Sequence, residues 1–458
     1  MKIISANLLV LSLAAISCVA LADDLPRHGV IGVLVSPSDP AKPEDPKTNP
    51  PTAQTVLPGS SADVAGIQPG DVLVSLDSQP VTSSTDFARA VGRHLAGERL
   101  QIQILRKGQP LTVSVTLKPR PFETSPDADV LYTSVSVNGS RRRAIVTHPK
   151  SSGRYPAVLL MQGLGCYTLD GALSQDQGYG PILAFLAKSN FVTVRVEKTG
   201  QGDSDGPACT DPSATADREA QGYVAAIELL KSTDFVDPSN IFVFAHSLGP
   251  LIGALVLPQL QIRGFIAAET IGRSWFEYEV ENVRRQSALQ GESYDKVDED
   301  TRAHANCAFR FYMQHESVDQ VRKLGAACEN MFRSYAGVPA PYMQQIGDLS
   351  LARQWQQVDL PVLVLFGTAD AVTSASESRY LVDTINNFHP GRATYVELPG
   401  MGHDFLTYSS ESEFINRKPT DKPHPYDTEL LSALLSWLRQ HSQSTKYSRL
   451  QENRRSEL

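Results

Sequence analysis

Between residues 143 and 398 the chain repeats one pattern: a short unbroken apolar run, then a longer stretch rich in helix formers. The runs fall at 143–147, 156–161, 191–196, 241–244, 264–268, 361–366 and 393–398. They are rich in β-branched residues and do not alternate, so they predict strands buried on both faces. The helical stretches between them predict right-handed crossovers and therefore a mostly parallel α/β sheet. One interval breaks the rhythm. Residues 274–357 are polar, rich in helix formers and without strand runs, which predicts a helical lid inserted between the fifth and sixth runs. This unit is assigned to residues 127–442, and the polar stretch 443–458 is expected to fray.

Ahead of it lies a β-rich pattern. The chain reads Arg27-His28-Gly29-Val30-Ile31-Gly32-Val33-Leu34-Val35, then a proline-rich stretch at 36–51 that predicts a surface loop. Val72, Val74 and Leu76 alternate as a half-buried strand does. A helical pattern covers 84–94. Strand patterns at 100–105 and 111–117 flank Arg106-Lys107-Gly108-Gln109, a hairpin turn by composition. Between the proline-rich stretch and the helical pattern runs Ser61-Ala62-Asp63-Val64-Ala65-Gly66-Ile67-Gln68-Pro69-Gly70-Asp71-Val72-Leu73, whose glycines suit tight turns. On these residues, 27–120 resembles a PDZ domain of the bacterial type. The resemblance implies that the backbone N–H groups of Gly29, Val30, Ile31 and Gly32 hold a peptide C-terminal carboxylate. The peptide would add as a strand beside 33–35. The alternative is a purely architectural unit, and the proline-rich insertion, absent from the usual pattern, could cover the groove.

The length of 458 residues exceeds one ordinary core and suggests two or three domains. The net charge of −8, with mixed signs and no basic stripe, argues against nucleic acid as a partner. Lys2, an apolar run over 8–22 and Ala20-Leu21-Ala22 before Asp23 predict a cleaved export signal at 1–22. A membrane anchor and lipidation at Cys18 are the alternatives. The run is short for a span, and no later stretch is apolar enough to cross a bilayer. The mature chain is then periplasmic or secreted.

The chemistry sits at the ends of the apolar runs. Phe244-Ala245-His246-Ser247-Leu248-Gly249 follows a strand run and precedes a small-residue helix. A sharp turn there would lift the serine hydroxyl clear of the sheet, and it needs small neighbours. This segment resembles the nucleophile elbow of α/β-hydrolases, with Ala245 in place of the first glycine. The branch it most resembles is that of lidded serine aminopeptidases and esterases. The resemblance implies Ser247 as nucleophile. It implies His403 in Met401-Gly402-His403-Asp404 as base and Asp370 in Gly367-Thr368-Ala369-Asp370 as the carboxylate that orients it. His246, on the elbow, is expected to shape the site, and Asp404 to be a solvated neighbour. The oxyanion donors implied are the N–H groups of Leu248 and of Leu164. Leu164 lies in Gln162-Gly163-Leu164-Gly165, where Gln162 replaces the family's histidine. The Gly-rich run 197–206 lacks a phosphate-loop lysine pattern and resembles the turn that buttresses such sites.

Cleavage after Ala22 leaves Cys166, Cys209, Cys307 and Cys328, an even number in an oxidising compartment. By the fold resemblance, Cys166 and Cys209 lie in neighbouring loops and would pin the oxyanion loop, while Cys307 and Cys328 would staple the lid. No His/Cys spacing resembles a metal site, and no cofactor is implied. The reading is an exported serine hydrolase acting on an ester or a peptide amide. A small-molecule carboxylesterase and a non-catalytic peptide-binding scaffold are its alternatives.

Overall fold

A computed structural model describes residues 25–37, 45, 47–335, 337–418 and 420–443. The export signal, Cys18, part of the proline-rich stretch and all but the first residue of the tail lie outside the described residues.

The N-terminal unit is one antiparallel sheet. Strands Val33–Pro37, Pro51–Val56, Val72–Leu76, Arg99–Arg106 and Gln109–Thr116 lie side by side in chain order. Leu100, Ile102 and Ile104 alternate inward with exposed neighbours, and they meet Leu73, Phe87 and Val115 in a separate small core. Lys107 and Gly108 both adopt positive φ, the conformation that a two-residue hairpin between right-twisted strands requires. Val33–Pro37 forms one edge, with helix Ser84–Val91 beside it.

The larger unit has eight strands: β1 Ala128–Val137, β2 Ser140–Pro149, β3 Tyr155–Met161, β4 Val192–Val196, β5 Val236–His246, β6 Gly264–Ala268, β7 Val362–Gly367 and β8 Ala393–Leu398. Their order is β1-β2-β4-β3-β5-β6-β7-β8. β2 is antiparallel to both its neighbours, and β3 to β8 are parallel. The central strands are buried on both faces, as their unbroken apolar runs predict. Helices Gly180–Lys188 and Thr428–His441 cover one face through Ile182, Leu186, Leu434 and Trp437. Helices Ala216–Ser232, Gly249–Val256 and Ala375–Phe388 cover the other through Ile227, Ile252 and Leu381. β1 is an edge strand that the apolar runs do not reveal.

Between β6 and β7 the chain is helical, from Trp275–Leu289 to Leu351–Trp355. Ser274 starts it with a reciprocal cap: its side chain accepts the N–H of Glu277, whose carboxylate accepts the N–H of Ser274. A Cys307–Cys328 disulfide ties this segment, and Cys166–Cys209 ties the loop after β3 to the loop after β4.

The two units are joined by a buried ionic knot. Arg27 Nη1 lies 2.7 Å from Asp170 Oδ2 and 2.5 Å from Asp203 Oδ2. Arg143 Nη2 reaches the same Asp203 oxygen at 3.1 Å, and the N–H of His28 donates to Asp203 Oδ1 at 2.8 Å. Arg27 also stacks over Phe122 and Tyr132.

Candidate active site

β5 ends at His246, and helix Gly249–Val256 begins three residues later. Ser247 bridges them at φ 58°, a left-handed conformation that costs a non-glycine residue energy. Its N–H donates to Ala268 O and its carbonyl accepts from Thr270 Oγ1, so the strained turn is fixed from β6. A Cβ at Gly249 would lie 2.7 Å from the carbonyl oxygen of Met161, which explains the glycine there.

The turns after β7 and β8 bring two more side chains to this point. His403 Nε2 lies 3.0 Å from Ser247 Oγ, and His403 Nδ1 lies 2.8 Å from Asp370 Oδ2. Asp370 is fully buried. Its Oδ1 accepts the N–H groups of Val372 and Thr373, and its Oδ2 accepts the hydroxyl of Thr373. Burial alone would raise its pKa. The charge of His403 and these hydrogen bonds outweigh burial and hold the carboxyl well below the usual range. A hydroxyl, an imidazole and an ionised carboxylate in this order can move a proton off the serine.

The loop after β3 lies against the elbow: a Cβ at Gly163 would sit 3.1 Å from Ser247 Cβ. The hydroxyl oxygen of Tyr179 accepts the N–H of Gly163 at 3.0 Å, while Lys198 Nζ donates to the Gly163 carbonyl at 3.1 Å. Among the described residues the N–H groups of Leu164 and Leu248 have no hydrogen-bond partner. The Gly-rich run braces this loop: Glu197 accepts the N–H groups of Leu169 and Asp170 at 2.8 and 2.9 Å. Burial pushes the Glu197 carboxyl up to about 7, against the pull of those donors.

His246 points away from the serine. Its Nδ1 pairs with Tyr179 at 2.9 Å and its Nε2 with the carbonyl of His403 at 3.0 Å. Burial, then the neighbouring His403, lowers its pKa to about 3, so it stays neutral and donates to that carbonyl. Asp404 accepts the Tyr408 hydroxyl at 2.7 Å and shapes its own turn.

A cavity of about 510 Å³ opens onto Ser247 and His403. Gly163, Leu164 and Tyr167 line it on the sheet side, and Trp275, Tyr278, Glu279, His304 and Tyr335 on the helical side.

The sequence profile of the alpha/beta hydrolase family matches residues 158–417, more than half of the chain. The chain belongs to the alpha/beta hydrolase family. The hydrolase carries an N-terminal PDZ domain, whose profile matches residues 29–117. It is similar to the periplasmic serine endoprotease DegP of Escherichia coli strain K12, 40% identical over 113 residues, 24% of each chain. It is also similar to the esterase EstD of Thermotoga maritima, 21% identical over 237 residues, 52% of this chain and 51% of that protein. The hydrolase thus spans about half or less of the length of these curated relatives. Among solved structures it is similar to the esterase PF2001 of Pyrococcus furiosus, with 11% identity, a TM-score of 0.43, and coverage of 70% of this chain and 96% of that one.

In the PDZ domain Gly29, Val30, Ile31 and Gly32 do not form one loop as expected. Gly29 and Val30 are a short strand paired with Pro119 and Lys118. The pairing depends on the missing side chain, because a Cβ at Gly29 would meet Leu117 at 2.5 Å. The N–H of Gly29 donates to His94 O, which removes it from the set offered to a ligand. Ile31 is buried, and Gly32 turns the chain at φ 73° into the edge strand.

One residue of the hydrolase site escapes sequence reasoning. Glu269 follows β6, is fully buried and has φ 49°. Its Oε1 accepts the N–H of Gly367 at 2.7 Å. An oxygen of Glu269, an oxygen of Asp370 and a nitrogen of His403 lie within 4.8 Å of one another. Such a trio can hold a cation in principle, but both imidazole nitrogens here already serve Asp370 and Ser247. Burial, then the charge of Asp370, pushes the Glu269 carboxyl well above its usual range, so the fold favours its protonated form. The sign follows from linkage. The unfolded chain releases this proton above about pH 4.5 and the folded chain keeps it, so stability is lost as pH rises from there towards the folded-state value. Glu269→Gln removes that loss. Its stability relative to wild type is expected to grow by up to about 1.4 kcal/mol per pH unit above that point. Urea unfolding of both proteins from pH 5 to 8 checks this; a constant difference would refute it.

Proposed function

We propose that this hydrolase is an exported serine hydrolase that cleaves an ester or amide through an acyl-enzyme. Ser247 attacks the carbonyl carbon, and His403 takes the hydroxyl proton and returns it to the leaving group. Asp370 holds the imidazole in the productive tautomer. The N–H groups of Leu248 and Leu164 receive the oxyanion, and water then releases the acyl group with His403 as base again. The observation that carries the reading is the unbroken chain of short contacts from Ser247 Oγ through His403 to buried Asp370. Two disulfides fit an oxidising compartment, and periplasmic relatives of the PDZ domain fit the same place.

The cavity bears on the choice of substrate. A volume of about 510 Å³ suits a small ester or the end of a short peptide rather than a folded protein. The PDZ edge strand Val33–Pro37 would take an extended peptide beside helix Ser84–Val91. A fluorophosphonate probe is expected to label the wild type and not Ser247→Ala, both checked for folding by circular dichroism. A folded wild type that resists the probe would favour the scaffold reading. Turnover of aryl esters beside aminoacyl and peptidyl amides then separates esterase from peptidase.

A further inference from the structure

The cavity beside Ser247 carries one carboxylate. Glu279, on helix Trp275–Leu289, lines it and is 7% exposed. Its Oε1 accepts Trp275 Nε1–H at 2.8 Å and the Tyr312 hydroxyl at 3.0 Å. Its Oε2 meets His304 Nε2, at a long 3.3 Å. Several other buried carboxylates of this chain have an arginine or lysine partner. Glu123 has Arg195, Asp203 has Arg27 and Arg143, Glu219 has Lys198, and Glu377 has Arg273. Among the described residues Glu279 has no such partner, and no arginine or lysine lines the cavity.

The adjoining walls are aromatic. The rings of Trp275 and Tyr278 have centroids 5.0 Å apart, and Tyr335 lines the same space. Among the described residues no arginine or lysine stacks on any of these three rings. A carboxylate withdrawn from water is costly without a counter-charge, and open aromatic faces attract cations. His304 can supply a counter-charge only by taking up a proton. An anionic ligand would meet repulsion from Glu279, and a purely apolar one would leave Oε2 without a second donor.

We propose that the cavity takes esters or amides that carry an organic cation, a primary or quaternary ammonium. Glu279 is its counter-ion, and Trp275, Tyr278 and Tyr335 form its walls. The inference rests on Ser247 being the nucleophile that faces the same cavity.

The test compares two isosteric 4-nitrophenyl esters, of 4-(trimethylammonio)butyrate and of 5,5-dimethylhexanoate, each corrected for its uncatalysed hydrolysis. In the full-length wild type kcat/KM is expected to favour the cationic ester by roughly tenfold or more. In Glu279→Gln that ratio is expected to fall towards one, and reading a ratio cancels any general loss of activity. A second measurement needs no variant: tetramethylammonium is expected to slow fluorophosphonate labelling of the wild type, where equal sodium chloride does not. A wild type that labels but shows no cationic preference, a preference that survives in Glu279→Gln, or no protection by tetramethylammonium overturns the inference and leaves the proposed function standing. A wild type that does not label at all overturns both.

Discussion

Asp370→Asn is expected to lower kcat for ester hydrolysis by about 10⁴-fold while the protein stays folded. The reason lies in the partners of each carboxylate oxygen. Oδ1 accepts two backbone N–H groups, from Val372 at 2.6 Å and Thr373 at 3.1 Å. An asparagine must keep its carbonyl oxygen there, or two donors would face its NH2. The NH2 is thereby forced into the place of Oδ2, 2.8 Å from His403 Nδ1. A donor in that place turns Nδ1 into an acceptor and moves the ring proton to Nε2, the atom that must accept the proton of Ser247. The geometry is kept and the base is lost. Stopped assays with an aryl ester, normalised by protein concentration and by the thermal unfolding midpoint, measure the loss. A fall of less than tenfold in a folded variant would mean that Asp370 does not set the tautomer. The same substitution changes acid stability. The pKa of Asp370 is depressed in the fold, so the stability it contributes is present above about pH 3.8 and vanishes as pH falls through the folded value. The asparagine variant is expected to lack that acid-side loss.

Much of this site can be read from the sequence because each part is announced locally. Ser247 stands at the junction of an apolar run and a small-residue helix, and the strained φ at that junction is what such a pattern serves. Asp370 follows a buried strand and His403 an edge strand, each by a few residues, and a parallel sheet gathers the ends of its strands at one rim. The seven apolar runs became β2 to β8 within a few residues at each end. β1 went unread because Ala128–Val137 mixes polar and apolar residues, as an edge strand with one covered face does.

The unread functional features share a different cause. Glu269 looks like any acidic residue in a loop after a strand; only the fold places it beside Asp370 and away from water. Glu279 sits on an amphipathic helix, and nothing in the helical spacing says that its face meets a cavity instead of solvent. Gly29 and Val30 read as part of a loop, yet Lys118 and Pro119, far along the chain, pair with them. Sequence periodicity reports which face of an element is covered. It does not report which distant residue covers it.

Asp203→Ala is expected to destabilise the protein by about 3–5 kcal/mol, the typical cost of removing one partner from a buried ion pair. The Asp203 carboxylate is 1% exposed, and two guanidiniums converge on it, from Arg27 at 2.5 Å and Arg143 at 3.1 Å. Burial would raise its pKa. Hydrogen bonds from His28 and the charge of Arg27 overcome this and hold it well below the usual range, so the charge persists through the neutral range. Without it, Arg143, whose side chain is fully buried, loses this carboxylate and keeps the carbonyls of Leu25 and Thr133 as acceptors. Arg27 keeps Asp170. The share of the penalty that falls on Arg143 is separable from a simple loss of packing. Arg143→Met combined with Asp203→Ala is expected to recover most of the loss, because replacing a whole buried pair by apolar groups is often neutral or stabilising. Urea unfolding of the two single variants and the double gives the coupling directly. A loss below about 1 kcal/mol for Asp203→Ala would place the contact among solvent-screened pairs. No recovery in the double variant would shift the cost to the hydrogen bond from His28. In that case the backbone at the start of the PDZ domain, rather than the charge behind it, is what the carboxylate secures.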